Sequence, residues 1–181
     1  SWGVPNLTST QAHRNAVEAL YHLTRTLDAT RPVIGNDGWE ASATDILGIH
    51  DSDCDPERLQ ARYVTNAQPG TLVDLRRPGG RILTLDGFPH RGQPIMLTHC
   101  GGIAFDERGA ERGRAASQDR FLDLYQRLLD VVSSSTMLSG FCYTQFADAF
   151  QETNGLLYAD RRPKMPLERI RAATLHLCGQ P

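Results

Sequence analysis

Apolar positions along this chain follow two alternating rhythms, a three-to-four-residue recurrence and short continuous runs, and the alternation predicts helices and strands in turn. From Thr10 to Leu27, the residues Ala16, Val17, Leu20, Leu23 and Leu27 form one apolar face of a helix. Ser9 or Thr10 can cap that helix, and Arg31-Pro32 ends it. Pro32 to Asn36 (PVIGN) reads as a short buried strand running into the Asp37-Gly38-Trp39 turn, and Asp45 to His50 (DILGIH) as a second strand. Asp55-Pro56 supplies a cap and a first-turn proline for a short helix carrying Leu59 and Tyr63. Residues 66–92, rich in Gly, Pro and Arg, read as a long loop with a hairpin around Arg81–Leu85. Gln93 to Thr98 is the next strand. Ser117 then caps a helix whose Phe121, Leu122, Tyr125, Leu128, Leu129 and Val132 make an apolar stripe. Leu138 to Gln145 is the last strand, and a final helix from about Pro166 carries Leu167, Ile170, Thr174, Leu175 and Leu177.

The sum is an initial helix followed by about four strand–helix units, with no internal repeat and no evident linker, so the fold class is α/β and the chain one domain or half of one. A chain of 181 residues with 40% hydrophobic content can bury a core, but a complete (β/α)8 barrel takes roughly 250 residues. A partial TIM barrel is the natural fit. Parallel strands joined by helices point their carboxyl ends to one face, where such barrels place chemistry. Asn36 to Trp39, His50 to Asp53, His99 to Gly101 and Tyr143 to Asp148 are therefore expected on one rim. Trp, Tyr, Asn, Asp, His and Gln together suit a sugar: aromatic faces cover the C–H surfaces of a pyranose, while amides and carboxylates bind its hydroxyls.

Charge and composition narrow the partners. A formal net charge of −2, from 19 basic and 21 acidic residues, carries no excess favouring nucleic acid or an anionic membrane. Arg76, Arg77, Arg81 and Arg91, accompanied by Asp74 and Asp86, read as a solvated loop rather than a phosphate patch. No apolar run approaches the roughly 20 residues of a membrane span. Cys54, Cys100, Cys142 and Cys178 are scattered without a C-x-x-C pair, as expected of unpaired thiols in the cytoplasm; a secreted parent is the alternative. No cofactor is implied.

Taken together, Pro94–Ile103 (PIMLTHCGGI), Gly140–Asp148 (GFCYTQFAD) and Gln151–Lys164 (QETNGLLYADRRPK) resemble the carboxyl-terminal half of the catalytic (β/α)8 barrel of family 2 glycoside hydrolases, the β-galactosidase and β-glucuronidase group. Ser1-Trp2-Gly3 looks like the segment after the acid/base strand, Arg31–Trp39 like the next strand and loop, and Asp45–Asp51 like the strand after it. Asn154-Gly155-Leu156 resembles the loop leading to the final helix. The resemblance implies substrate contacts from Asn36, Trp39, His50, Asp51, Tyr143, Gln145, Asp148 and Asn154. It also implies a departure: position 99, normally the nucleophilic glutamate, is His99, and the acid/base glutamate would lie directly before Ser1.

By resemblance the reaction is retaining hydrolysis of a β-glycoside, in which one carboxylic acid protonates the leaving oxygen and a second carboxylate, about 5–5.5 Å away, attacks the anomeric carbon. A neutral imidazole lacks the negative charge that stabilises an oxocarbenium-like transition state, and a protonated one opposes it. The chain alone is therefore expected to be inactive. Asp51, Asp53, Asp106, Glu107, Asp148 and Glu152 fall near the rim, but none at the nucleophile's strand end. The alternative is a non-catalytic carbohydrate-binding or subunit protein, whose exposed strand edges would seek the missing amino-terminal half barrel or a second copy. A lesser alternative is a metal site using His50, Asp51 and His99, whose spacing matches no standard zinc pattern.

Overall fold

Thr10 caps the first helix, its hydroxyl accepting the His13 amide at 3.4 Å, and fixes where regular structure begins. The computed structural model describes residues 6–8, 10–65, 68–77, 80–105 and 115–177. Ser1 to Gly3, Ser9, Asp106, Glu107 and Cys178 lie outside them. Helix α1 (Gln11–Leu27) ends where the Asp28 amide closes on the Thr24 carbonyl. Its expected apolar face exists, and among the described residues Val17 and Tyr21 are part-covered but none of the helix is buried. Leu20, Leu23 and Leu27 remain 64, 54 and 79% exposed.

Three strands are present among the described residues: β1 (Leu47–Asp51), β2 (Ile95–Gly101) and β3 (Leu138–Thr144), forming a parallel sheet in the order β1-β2-β3. The expected strand at Pro32–Asn36 is absent, so the count is three rather than four. Its backbone is satisfied by other means. The Val33 amide donates to the Asp45 carboxylate at 2.8 Å, and the Val33 carbonyl accepts the Asp45 amide. Those groups are consequently not offered to a neighbouring strand.

Asp55 accepts the Glu57 and Arg58 amides and starts α2 (Pro56–Gln60), which continues as a π-helical turn over Ala61–Thr65 with Tyr63 buried. The region read as a loop over 66–92 contains a short helix, α3 (Pro69–Asp74). It begins at a proline and buries Leu72 and Val73, contacts too sparse to show as periodicity. The expected hairpin is a turn closed by the Leu85–Phe88 pairing, preceded by a parallel bridge of Thr84 to Ala41. Ser117 caps α4 (Gln118–Ser134), whose Phe121, Tyr125, Leu128, Leu129, Val131 and Val132 are buried, each such side chain contributing roughly 1.5–3 kcal/mol. α5 (Leu167–Leu177) lies beside it and joins it through the Tyr125 and Thr174 hydroxyls, 3.0 Å apart.

The chain divides into two compact units. One comprises Ser1–Asp51, Asn66–His99 and Met137–Phe141, with a core that includes Leu47, Ile49, Leu83, Ile95 and Leu97. The other comprises Ser52–Thr65, Cys100–Thr136 and Cys142–Pro181, with a core that includes Leu59, Tyr63, Ile103, Phe105 and the buried face of α4. Among the described residues, no helix is long and apolar enough to cross a membrane.

Candidate functional site

In the first unit, a column of flat groups stands at the carboxyl end of the strands. β1 and β2 deliver His50 and His99, whose rings stack with centroids 3.7 Å apart and planes 12° from parallel. Trp39 also stacks on His50, with centroids 5.0 Å apart and planes 29° from parallel. Arg81 caps Trp39, its guanidinium carbon 4.6 Å from the ring centroid, a cation–π arrangement. Gly38 permits the approach: it adopts φ +80°, its carbonyl accepts the His50 amide at 3.1 Å, and it has no room for a side chain, since a Cβ would fall 2.6 Å from that of His50.

The buried carboxylates Glu40 and Asp51 of this unit each face an arginine. Arg81 binds the fully buried Glu40 through two hydrogen bonds of 2.6 Å. Arg77 lies 3.6 Å from Asp51, both side chains buried. A turn closed by the Arg77 amide on the Arg81 carbonyl at 2.8 Å presents the two arginines together. Reading them as a solvated loop is corrected by this geometry. Exposed Arg76 and Arg91 fit that description, whereas Arg77 is 5% exposed and Arg81 half-buried. The error has a physical source: charge composition reports a solvated loop only when no buried carboxylate awaits it. Asn36 is buried, and its amide donates to the Glu40 carbonyl at 2.8 Å, fixing the backbone beside that pair.

Burial and the neighbouring His99 hold the His50 imidazole down at about 4, against the opposing pull of Asp37 and Asp51. His50 is thus neutral at pH 7 and stacks as a neutral ring. Asp37, within the Asn36–Trp39 segment expected beside His50, presents its carboxylate to Gly48, where a Cβ would fall 2.6 Å from it. The metal alternative finds no geometry. His50 and His99 turn ring faces toward each other, and among the described residues no three His, Cys, Asp or Glu side chains gather closely enough to hold an ion.

The second unit contains the other predicted residues, each engaged locally. The Tyr143 hydroxyl donates to the Asn154 carbonyl at 3.1 Å, and burial pushes its phenol far up. Gln145 donates to the Asn154 side-chain oxygen at 3.2 Å, and the Asn154 amide returns a bond to the Thr144 carbonyl at 3.2 Å. The Thr144–Gln145 peptide is cis. Asp148 accepts the Gly155 amide at 2.9 Å and pairs with Lys164 at 2.7 Å. Lys164, which ends the quoted Gln151–Lys164 segment, was given no role by the sequence. It is fully buried, and also donates to the Thr153 and Phe105 carbonyls at 2.7 and 3.2 Å. Gly101, at φ +115°, sits where a Cβ would fall 2.6 Å from the Tyr143 ring. Cys100 is a buried thiol bonded to the Cys142 carbonyl at 3.3 Å, and Asp53 is held at about 2 chiefly by Arg58.

No family model matches this sequence, and no curated protein matches it. Solved structures do. A GH2 β-galacturonidase from Eisenbergiella tayi superposes with a TM-score of 0.60 at 15% identity, over 92% of this chain and 31% of that one. A β-glucuronidase from an uncultured Clostridium sp. gives 0.60 at 16%, over 95% and 30%. The β-D-glucuronidase of Dictyoglomus thermophilum gives 0.61 at 15%, over 95% and 30%. This chain therefore shares the fold of a part of these glycosidases and spans about 30% of their length.

Proposed function

We propose that residues 1–181 form the carboxyl-terminal part of a GH2-like (β/α)8 catalytic domain, and that the chain binds β-glycosides without hydrolysing them by itself. The observation that carries this reading is the end of β2. His99 stands where the resemblance puts the nucleophilic glutamate, packed 3.7 Å from His50. The nearby carboxylates of Glu40 and Asp51 are already committed to Arg81 and Arg77. A retaining mechanism needs a carboxylate at the nucleophile position, and a neutral imidazole does not replace its charge. Trp39 and the two imidazoles, stacked on one another, bring aromatic edges to the strand ends, against which a sugar's C–H groups can pack. By resemblance Asn36, Tyr143, Gln145, Asp148 and Asn154 are sugar-side residues as well, each open to test by substitution. The fold shared with β-glucuronidases and a β-galacturonidase supports a uronide among the sugars tried.

The test pairs calorimetric titration of a methyl β-glucuronide with an aryl β-glucuronide assay. Saturable binding without phenol release is expected, with Trp39→Ala weakening binding by about tenfold, the loss of one aromatic contact. Turnover by the unaltered chain, with a sugar trapped on His99, overturns the reading. A second reading, a non-catalytic carbohydrate-binding or subunit protein, is favoured by the tight stacking of His99 on His50. His99→Glu separates the two. Covalent trapping of an activated fluoro-glycoside returns with the carboxylate in the first reading and does not in the second.

A further inference from the structure

A cavity of about 290 Å³ lies within the first unit at the opposite, amino ends of β1 and β2, where Leu47 begins one strand and Gln93 precedes the other. Its wall comes from α1 (Glu18, Tyr21, His22), from the segment before β1 (Ser42) and from the turn before β2 (Phe88, His90). Two of its polar atoms, Glu18 Oε1 and Ser42 Oγ, are buried and make no hydrogen bond. Neighbouring groups are otherwise satisfied: the Tyr21 hydroxyl donates to Asp45 at 2.5 Å, and His90 Nε2 lies 2.8 Å from the Gln93 carbonyl. A buried carboxylate oxygen without a donor is costly, and native proteins leave few such groups without a ligand, an ion or a water to meet them.

We infer that this cavity is a second binding site, for a small polyhydroxylated ligand such as a polyol or a single pyranose ring. The unfilled carboxylate oxygen calls for a donor, and the unfilled hydroxyl both gives and accepts a bond. Adjacent hydroxyls on one ligand meet both requirements. Arg91 also lines the cavity, so the wall carries both signs of charge and selects a neutral ligand over a cation. The Tyr21 and Phe88 side chains offer aromatic surface to C–H groups. The volume, just under the usual range of small-molecule pockets, suits one ring and no more. A metal ion is a poor match, since no three ligating side chains gather among the described residues.

The test is an amide-resolved NMR titration of the 181-residue chain with glycerol, methyl β-D-glucopyranoside and ethanolamine as probes. The pyranoside, and more weakly glycerol, is expected to shift the amides of residues 18, 42 and 88–93. Glu18→Ala and Ser42→Ala are each expected to weaken binding by about tenfold, the cost of one lost hydrogen bond to a buried group. Each variant should leave the thermal midpoint of the free chain unchanged or raised, since it removes an unmet polar atom. Glu18→Gln, which keeps the shape, should weaken binding less than Glu18→Ala. Shifts produced by ethanolamine alone, shifts confined to the surroundings of His50 and His99, or no shift at any soluble concentration each overturn the proposal.

Discussion

Arg81 joins the stability of the first unit to its candidate site. Its guanidinium neutralises Glu40, which is entirely shielded from solvent, and covers Trp39. Arg81→Ala leaves that carboxylate buried without its charge partner, and a loss of about 3 kcal/mol in denaturant-derived stability is expected, the lower end of the range for such breaks because Arg81 is partly exposed. Arg81→Lys should recover only part, since an ammonium cannot make the two-pronged contact. His50 gives a separate signature in acid. Its pKa falls from an ordinary 6.5 to about 4 in the folded chain, so the unfolded chain binds the proton more readily. The neutral ring's contribution is complete above pH 6.5 and is lost as pH falls toward 4. The carboxylates with lowered values act in a lower window, Asp53 being held at about 2 and contributing until pH drops below 4. Unfolding free energies measured from pH 7 to 4 should decline in the wild type and flatten in His50→Gln; equal slopes would remove His50 as the cause.

At the scale of elements, the two long helices bear similar sequence patterns and have different fates. α4 buries six side chains, whereas no residue of α1 is buried. Leu129→Ala is expected to cost about 2–5 kcal/mol, by lost transfer energy and an unfilled cavity. Leu23→Ala should change stability by less than about 0.5 kcal/mol, as at an ordinary surface position. Parallel chemical denaturation of the two variants checks the contrast, and a large effect of Leu23→Ala would mean that α1 is covered in solution. Periodicity identified both helices, and local capping chemistry named Ser117 and narrowed the first cap to Ser9 or Thr10, because a stripe and a capping hydroxyl are local features. It could not tell which stripe has a partner, and the absent strand at Pro32–Asn36 shows the same limit. A short apolar run fits a strand, but the Asp45 carboxylate reaches it from 12 residues away and supplies a competing partner.

For the whole molecule, the exposed Leu20, Leu23 and Leu27 stripe bears on the proposed need for an amino-terminal half barrel or a second copy. Sedimentation velocity is expected to show concentration-dependent association, reduced by the triple serine variant of these leucines. A monomer at every concentration would remove self-association and leave the half barrel as the partner to test. The sequence by itself determined the helices from 11, 118 and 167, the strands around 47, 95 and 138 and the histidine at the end of the second of them, because each is written in near neighbours. Only the tertiary structure decided that His50 and His99 stack, that Arg81 reaches Glu40 across 41 positions, that Lys164 lies buried on the Phe105 carbonyl 59 positions away, and that Glu18 and Ser42 face one cavity. Such pairings join residues far apart in the chain, and their energies depend on desolvation, which arises only when the folded chain excludes water from both partners.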